Sequence, residues 1–175
     1  MRFKQGILIV IGFSILSFGL PKNLQKKVNK EITGTFEIEN FDLISVTIPA
    51  ELEQTLPSRF GADNLFRIES NKKLIAYAYV SQAPSKTAQF DYLVLLDKDL
   101  VVIKTKILIY REEYGGEIGS TRWLKQFIGK TQLDDLKYGE NIIAISGATI
   151  SVRSFTEAMN NLLKSLKTLH SKNIL

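Results

Sequence analysis

Between Leu65 and Tyr110 the chain carries four closely spaced strand patterns, "LFRIES", "KLIAYAYVSQ", "AQFDYLVLLD" and "LVVIKTKILIY". Each is rich in β-branched and aromatic residues, whose side chains fit a pleated surface. Turn chemistry separates them at Ser70-Asn71, Ala83-Pro84-Ser85 and Asp97-Lys98-Asp99. In the last pattern Ile103, Thr105, Ile107 and Ile109 fall on one face and Lys104 and Lys106 on the other, which is the alternation of a half-buried antiparallel sheet. A weaker alternation in "TFEIENFDLISVTIP" predicts one more strand before Pro49. No internal repeat or low-complexity tract interrupts this region.

After Tyr110 the pattern changes. "REEYGGEIGS" reads as a glycine-containing loop, and "TRWLKQFIG" as a short helix ended by Gly129. Trp123 and Phe127, four apart, share a face of that helix, and packing on the sheet is the plain account of the pair. "LDDLKYGEN" is a loop with a turn at Gly139. A final helix is predicted from Ile150 to about His170, with Phe155, Met159, Leu162, Leu166 and Leu169 on its apolar face. Arg153, Glu157, Asn160, Lys164 and Lys167 fall on its outer side. The expectation is a single α+β domain, an antiparallel-rich sheet over about residues 65–110 packed against the C-terminal helix.

The first twenty residues, "MRFKQGILIVIGFSILSFGL", have a basic start and an apolar stretch from Gly6 to Leu20. That is the shape of a secretory signal, with Ser17-Phe18-Gly19 as a rough small-x-small cleavage site. The same stretch could stay as an anchor, although it is shorter than the roughly 20 apolar residues that span a bilayer comfortably. A merely buried N-terminal helix is the plainer alternative. The predicted division is therefore an export or anchor segment at 1–20, a linker or polar helix at 21–34, and a domain at 35–175. Everything beyond about residue 20 is expected outside the cytoplasm, on the periplasmic or cell-surface side of the membrane.

Composition removes several chemistries. There is no cysteine, so thiol catalysis and thiolate metal sites are excluded. The single histidine, His170, sits in the last turn of the predicted helix, where the helix dipole favours a cation. A Ser-His-Asp hydrolase or a histidine-based zinc site is not expected, and no metal site is predicted. Removing Arg2 and Lys4 with the leader lowers the charge of +5 to +3, too small an excess to argue for nucleic acid. Redox or group-transfer chemistry in this chain therefore needs an external cofactor.

One junction invites such a cofactor. In "NIIAISGATISVRSF" the apolar run Ile142 to Ile145 meets Ser146-Gly147-Ala148-Thr149 just before the long helix. Two readings compete. The first is a strand-to-helix turn, with Gly147 for backbone freedom and a hydroxyl as the helix cap. The second is a phosphate site: a helix N-terminus offers free amides and the positive end of a dipole, and small residues let a ligand approach the main chain. The stretch is not a P-loop, since the lysine and the second glycine are missing, and it is not a Gly-x-Ser-x-Gly elbow.

The sequence "SGAT" opening a C-terminal helix resembles the attachment motif of the FMN-binding domain family. That family includes the flavin-carrying subunits of the sodium-translocating NADH:quinone reductase and of Rnf-type electron-transport complexes. Its motif runs Asp-x-x-(Ser or Thr)-Gly-Ala-Thr; Ser146, Gly147, Ala148 and Thr149 match it, and Ile143 stands where the family has aspartate. Asp134, Asp135 and Glu140 lie nearby but not at that offset. Upstream, Glu112, Gly115, Phe127, Gly129 and Lys130 fit the family's strand, loop and helix, whereas Glu113-Tyr114 replaces its usual Thr-Pro. The resemblance covers roughly residues 90–165. It implies FMN esterified through its phosphate to Thr149 by a flavin transferase using FAD. Ser146, Gly147 and Ala148, with Gly115 and Gly116 of the glycine-containing loop, then form the cofactor-binding set.

The function so implied is an electron carrier in a membrane-associated redox chain, working with redox partner proteins and not with nucleic acid. Tyr114, Trp123 and Phe127 offer aromatic surface to a ring, although packing is the plainer account of each. The alternative is a cofactor-free exported scaffold or assembly module of the same fold, which the isoleucine at 143 favours. A flavin-dependent reductase of a small molecule has no acid or base that the sequence identifies.

Overall fold

The strand patterns assemble into one five-stranded antiparallel sheet in sequence order, β1-β2-β3-β4-β5. The computed structural model describes residues 19–61 and 63–175; the expected export or anchor segment therefore lies, up to residue 18, outside the described residues. The elements are α1 (Lys22–Phe36), β1 (Asp42–Ser45), α2 (Ala50–Glu53), β2 (Leu65–Ser70), β3 (Lys73–Pro84), β4 (Gln89–Leu96), β5 (Val102–Ile109), α3 (Thr121–Leu124) and α4 (Thr149–Ser171). Short 3-10 turns at Gly116–Gly119 and Lys125–Phe127 flank α3. Among the described residues no helix is long and apolar enough to cross a membrane.

Alternation along the strands sorts their side chains into two cores. On one face Leu65, Tyr77, Tyr79, Tyr92, Val94, Leu96, Val102 and Ile107 meet α4. The expected stripe of α4, Phe155 to Leu169, is fully buried there, and Arg153, Glu157, Lys164 and Lys167 are exposed as expected. Asn160 is half-buried instead, because its side-chain amide bonds both main-chain groups of Leu136, at 2.8 and 2.7 Å.

The opposite face is not open to solvent. Ile68, Ala76, Ala78, Val80, Leu93, Leu95 and Leu108 pack against Leu24, Val28 and Ile32 of α1. The stretch that reads as a polar helix or linker is thus a helix with a narrow apolar seam, three residues at spacings of four. Lysines around the seam hide it in the sequence, and the sheet is covered on both faces rather than half-buried.

The face assignment along β5 also needs correction. Two irregularities in its pairing with β4, at Asp91/Tyr92 and Leu95/Leu96, insert extra residues and break the period of two. Thr105 and Ile107 face the α4 side, while Ile103 and Ile109 pack on the α1 side. Lys104 and Lys106 are likewise not solvated freely: both reach Glu31 of α1, at 2.7 and 3.9 Å. Finally, no strand precedes α4. Ile142 makes a single isolated bridge to Tyr138, and residues 143–145 are irregular.

Candidate functional site

The Ser146–Thr149 junction is a turn closed by the Ala148 N–H donating to the Ile145 carbonyl at 3.2 Å. Gly147 sits at φ 78°, a left-handed conformation that glycine adopts without the Cβ penalty. Ala148 is the cap residue of α4 and Thr149 is the first helical residue. No side chain caps the helix, so the hydroxyl cap expected of this junction is absent. A threonine at the first helical position lies past the place from which a side-chain oxygen reaches back to the free amides. The first-turn donors therefore stay open, and the Thr149 side chain is exposed.

The glycine-containing loop meets this turn from the other side. Gly115 is buried at φ 81°, and a Cβ built on it would lie 2.9 Å from the Ala148 Cβ and 3.0 Å from the Tyr110 hydroxyl. Only glycine permits that approach. The Tyr110 hydroxyl in turn lies 3.0 Å from the Ser151 hydroxyl in the first turn of α4. Gly116 is exposed, with open space around it.

Between these segments runs a groove of about 700 Å³, lined on one side by Gly147, Ala148, Thr149 and Ile150 and on the other by residues of the β3–β4 hairpin and the loop after β5. Lys86 and Thr87 come from the hairpin tip; Arg111, Glu112, Glu113 and Tyr114 come from the loop. Gly115 backs the groove through Ala148, whereas Ser146 and Gly116 do not line it. The structure thus brings together Gly147, Ala148, Thr149 and Gly115 of the sequence-derived set. It adds Lys86, Thr87 and Arg111, which no local pattern marks, because pairing of β3 with β4 and of β4 with β5 is what delivers them, and Ile150, which follows Thr149 in α4.

Glu112 fastens the hairpin tip. Its carboxylate accepts from the Ser85 hydroxyl at 2.6 Å, the Thr87 N–H at 2.7 Å, the Thr87 hydroxyl at 2.9 Å and the Ala88 N–H at 3.2 Å. The Ser154 hydroxyl of α4 donates to the Pro84 carbonyl and ties the same tip to the helix. The Ser85 hydroxyl first, and then the Thr87 amide, hold the Glu112 carboxyl down at about 2, against an ordinary 4.5. The stabilisation this gives is present above about pH 4.5 and is lost as pH falls through about 2. Glu112→Gln is expected to speed amide exchange at Thr87 and Ala88. It should also flatten the loss of stability between pH 4.5 and 2, as read by denaturant melts across that range.

Ile143 is held by its main chain alone. The Trp123 indole N–H donates to its carbonyl at 2.7 Å, and its own N–H donates to the Gln126 side chain at 2.7 Å. The side chain itself is 69% exposed. Trp123 and Phe127 are packed as expected, edge to face at 5.2 Å, both against Phe155. Tyr114 departs from the packing account: it is 74% exposed and lines the groove. Its backbone is fixed by the buried Gly115, which leaves the phenol no core to enter.

An anionic phosphate ester fits this arrangement. The uncapped start of a long helix, two cationic side chains at the groove and an exposed threonine hydroxyl stand together. Arg111 is already engaged, with Asp91 and with the Gln89 carbonyl at 2.7 Å. Lys86 makes no ion pair among the described residues. No cluster of metal-ligating side chains is found among the described residues.

Comparison with known proteins bears on the same region. Residues 86–164 match the family model described as the FMN-binding domain, which is the family the sequence resembles. The match begins at the hairpin tip and ends within α4, and so takes in every segment of the groove. A crystal structure of NqrC from Shewanella oneidensis superposes with a TM-score of 0.46 at 19% identity, covering 71% of this chain and 70% of that one. The curated proteins contain no match.

Proposed function

We propose that the FMN-binding domain carried by this chain belongs to an electron-transfer flavoprotein, with FMN esterified through its phosphate to Thr149. The observation that supports this best is the placement of Thr149: it is exposed at an uncapped helix start and lines a groove of about 700 Å³ together with Lys86, which makes no ion pair among the described residues. The phosphodiester keeps one negative charge, which the helix start and Lys86 offset. When bound, the isoalloxazine supplies one- and two-electron chemistry that these side chains lack. The chain's own task is then to anchor the phosphate, orient the ring and limit its exposure to water.

The attachment is a phosphoryl transfer. A flavin transferase using FAD joins the Thr149 hydroxyl oxygen to the FMN phosphorus, AMP leaves, and the hydroxyl proton is lost. We infer that the chain works outside the cytoplasm, with residues 1–20 as signal or anchor, 21–34 as the connecting helix and 35–175 as the FMN-binding domain. There, free FMN is diluted away, and a covalent link keeps the cofactor local. Redox proteins at the membrane are the partners on this reading. The test is co-production with an active flavin transferase, followed by mass spectrometry and in-gel fluorescence of denatured protein. A mass gain equal to esterified FMN on the peptide containing Thr149 is expected, and colourless protein overturns the carrier reading.

The cofactor-free scaffold remains a second reading, favoured by one observation: Ile143 presents an exposed isoleucine where the family has aspartate. Its main-chain bonds do not depend on the side chain, so Ile143→Asp should change stability by less than about 0.5 kcal/mol. Loading per chain is expected to rise in that variant, measured as the flavin-to-protein ratio after denaturation.

A further inference from the structure

The ring, once its phosphate is tied to Thr149, needs a surface to lie against, and the aromatic side chains nearby differ sharply in what they can offer. Trp123 and Phe127 are 5% and 0% exposed, and their rings are committed to each other and to Phe155. The Trp123 N–H is spent on the Ile143 carbonyl. Tyr110 lines the groove, but its hydroxyl is engaged by Ser151 and its ring packs 5.8 Å from Phe90. Tyr114 has none of these ties: among the described residues it makes no side-chain hydrogen bond and no aromatic pair, and it is 74% exposed. An aromatic side chain left outside the core forgoes a large burial that the other aromatic residues among the described ones obtain at least in part.

The backbone on either side explains why it stays out. Gly115, directly after Tyr114, is pressed against Ala148, directly before Thr149. Tyr114 and Thr149 are thus chain neighbours of two touching residues, and both line one groove. We infer, on the carrier reading above, that Tyr114 is the residue against which the flavin ring lies, screening one part of it from water. Stacking of a phenol on an electron-poor ring system is the expected contact. A phenol in that position also quenches flavin emission: one electron passes from Tyr114 to the photoexcited ring and returns, with no net chemistry.

The experiment uses the full chain loaded by a flavin transferase, in the wild-type, Tyr114→Leu and Tyr114→Phe forms. Loading is scored first, by mass, and thermal melts check that each form is folded. At equal loading, Tyr114→Leu is expected to lengthen the flavin emission lifetime severalfold and to admit iodide to the ring. Tyr114→Phe should keep the ring shielded from iodide yet also emit more strongly, because a phenyl ring is far harder to oxidise. Equal lifetime and equal iodide access in the wild-type and Tyr114→Leu proteins overturn the inference. If no form gains mass, the covalent reading fails separately, and the comparison is made with free FMN titrated into the same proteins. Binding about three- to tenfold weaker in Tyr114→Leu then supports the contact, and unchanged binding overturns it.

Discussion

Thr149→Val is expected to abolish covalent flavin altogether while leaving the fold intact. Valine is nearly the shape of threonine but has no oxygen to esterify, so the mass gain at this peptide should fall to zero. The structural cost is small because the Thr149 side chain makes no cap hydrogen bond and is exposed. Only a difference in helix propensity is at stake, a few tenths of a kcal/mol. Denatured-state mass and a denaturant melt on the same sample separate the two effects. An unchanged mass gain would mean attachment elsewhere. The neighbouring glycines make useful contrasts. A Cβ added at Gly147 meets no atom within 4 Å, and the expected penalty of about 1–2 kcal/mol for Gly147→Val comes from forcing a branched residue to φ 78°. Gly115→Val carries the same backbone penalty and, in addition, drives its Cβ to 2.9 Å from the Ala148 side chain. That variant should push the loop off the junction and lower loading more than Gly147→Val does.

Phe155→Ala is the expected worst substitution for stability. Phe155 is fully buried, and its ring lies 4.9 to 6.2 Å from those of Phe127, Tyr92, Trp123 and Phe90. It is the point where α4, the sheet and the α3 region converge. Truncation removes its transfer free energy and leaves a cavity that the four rings cannot fill, for a loss of about 3–5 kcal/mol. Against a total stability of about 5–15 kcal/mol, this shifts the urea midpoint far toward zero. Loading should fall with it, since α4 carries Thr149. Exposed positions on the outer side of α4, such as Lys164→Ala, are expected within about 0.5 kcal/mol of wild type. A Phe155→Ala midpoint close to theirs would mean that the aromatic cluster is not what secures the helix.

Much of this was open to reading from the chain itself. Strands β2 to β5 and the apolar face of α4 follow from local alternation, which is why the sheet and its covering helix were foreseeable. The α1 seam was not, because Leu24, Val28 and Ile32 are only three residues set among Lys22, Lys26, Lys27 and Lys30. The faces of β5 escape simple alternation because two bulges shift the register without any glycine or proline to announce them. At the site, the Ser146–Thr149 turn was legible as a small-residue stretch before a helix. Lys86 and Thr87 were not, since they reach the groove through strand pairing and the Glu112 contacts, between residues more than twenty apart in sequence. Tyr114 carries no pattern that tells an exposed aromatic from a packed one; only the Gly115–Ala148 contact decides it.

The way α1 sits on the sheet has a mechanical meaning. Leu20 already packs against the second core, and the helix that begins at Lys22 is bound to the sheet along Leu24, Val28 and Ile32. The Lys27 ammonium, donating to the Leu108 carbonyl at 2.7 Å, pins it further. Whatever chain precedes residue 20 is therefore coupled to a lever, not a leash. A slack tether lets a redox domain sample a hemisphere and meet its partner by chance encounters. A strut fixed to the sheet converts any constraint on its far end into one heading for the whole body, so the mouth of the groove points one way. On the carrier reading, electron exchange from such a body is governed by whether that bearing suits the partner, and lengthening the connection before Lys22 trades aim for reach.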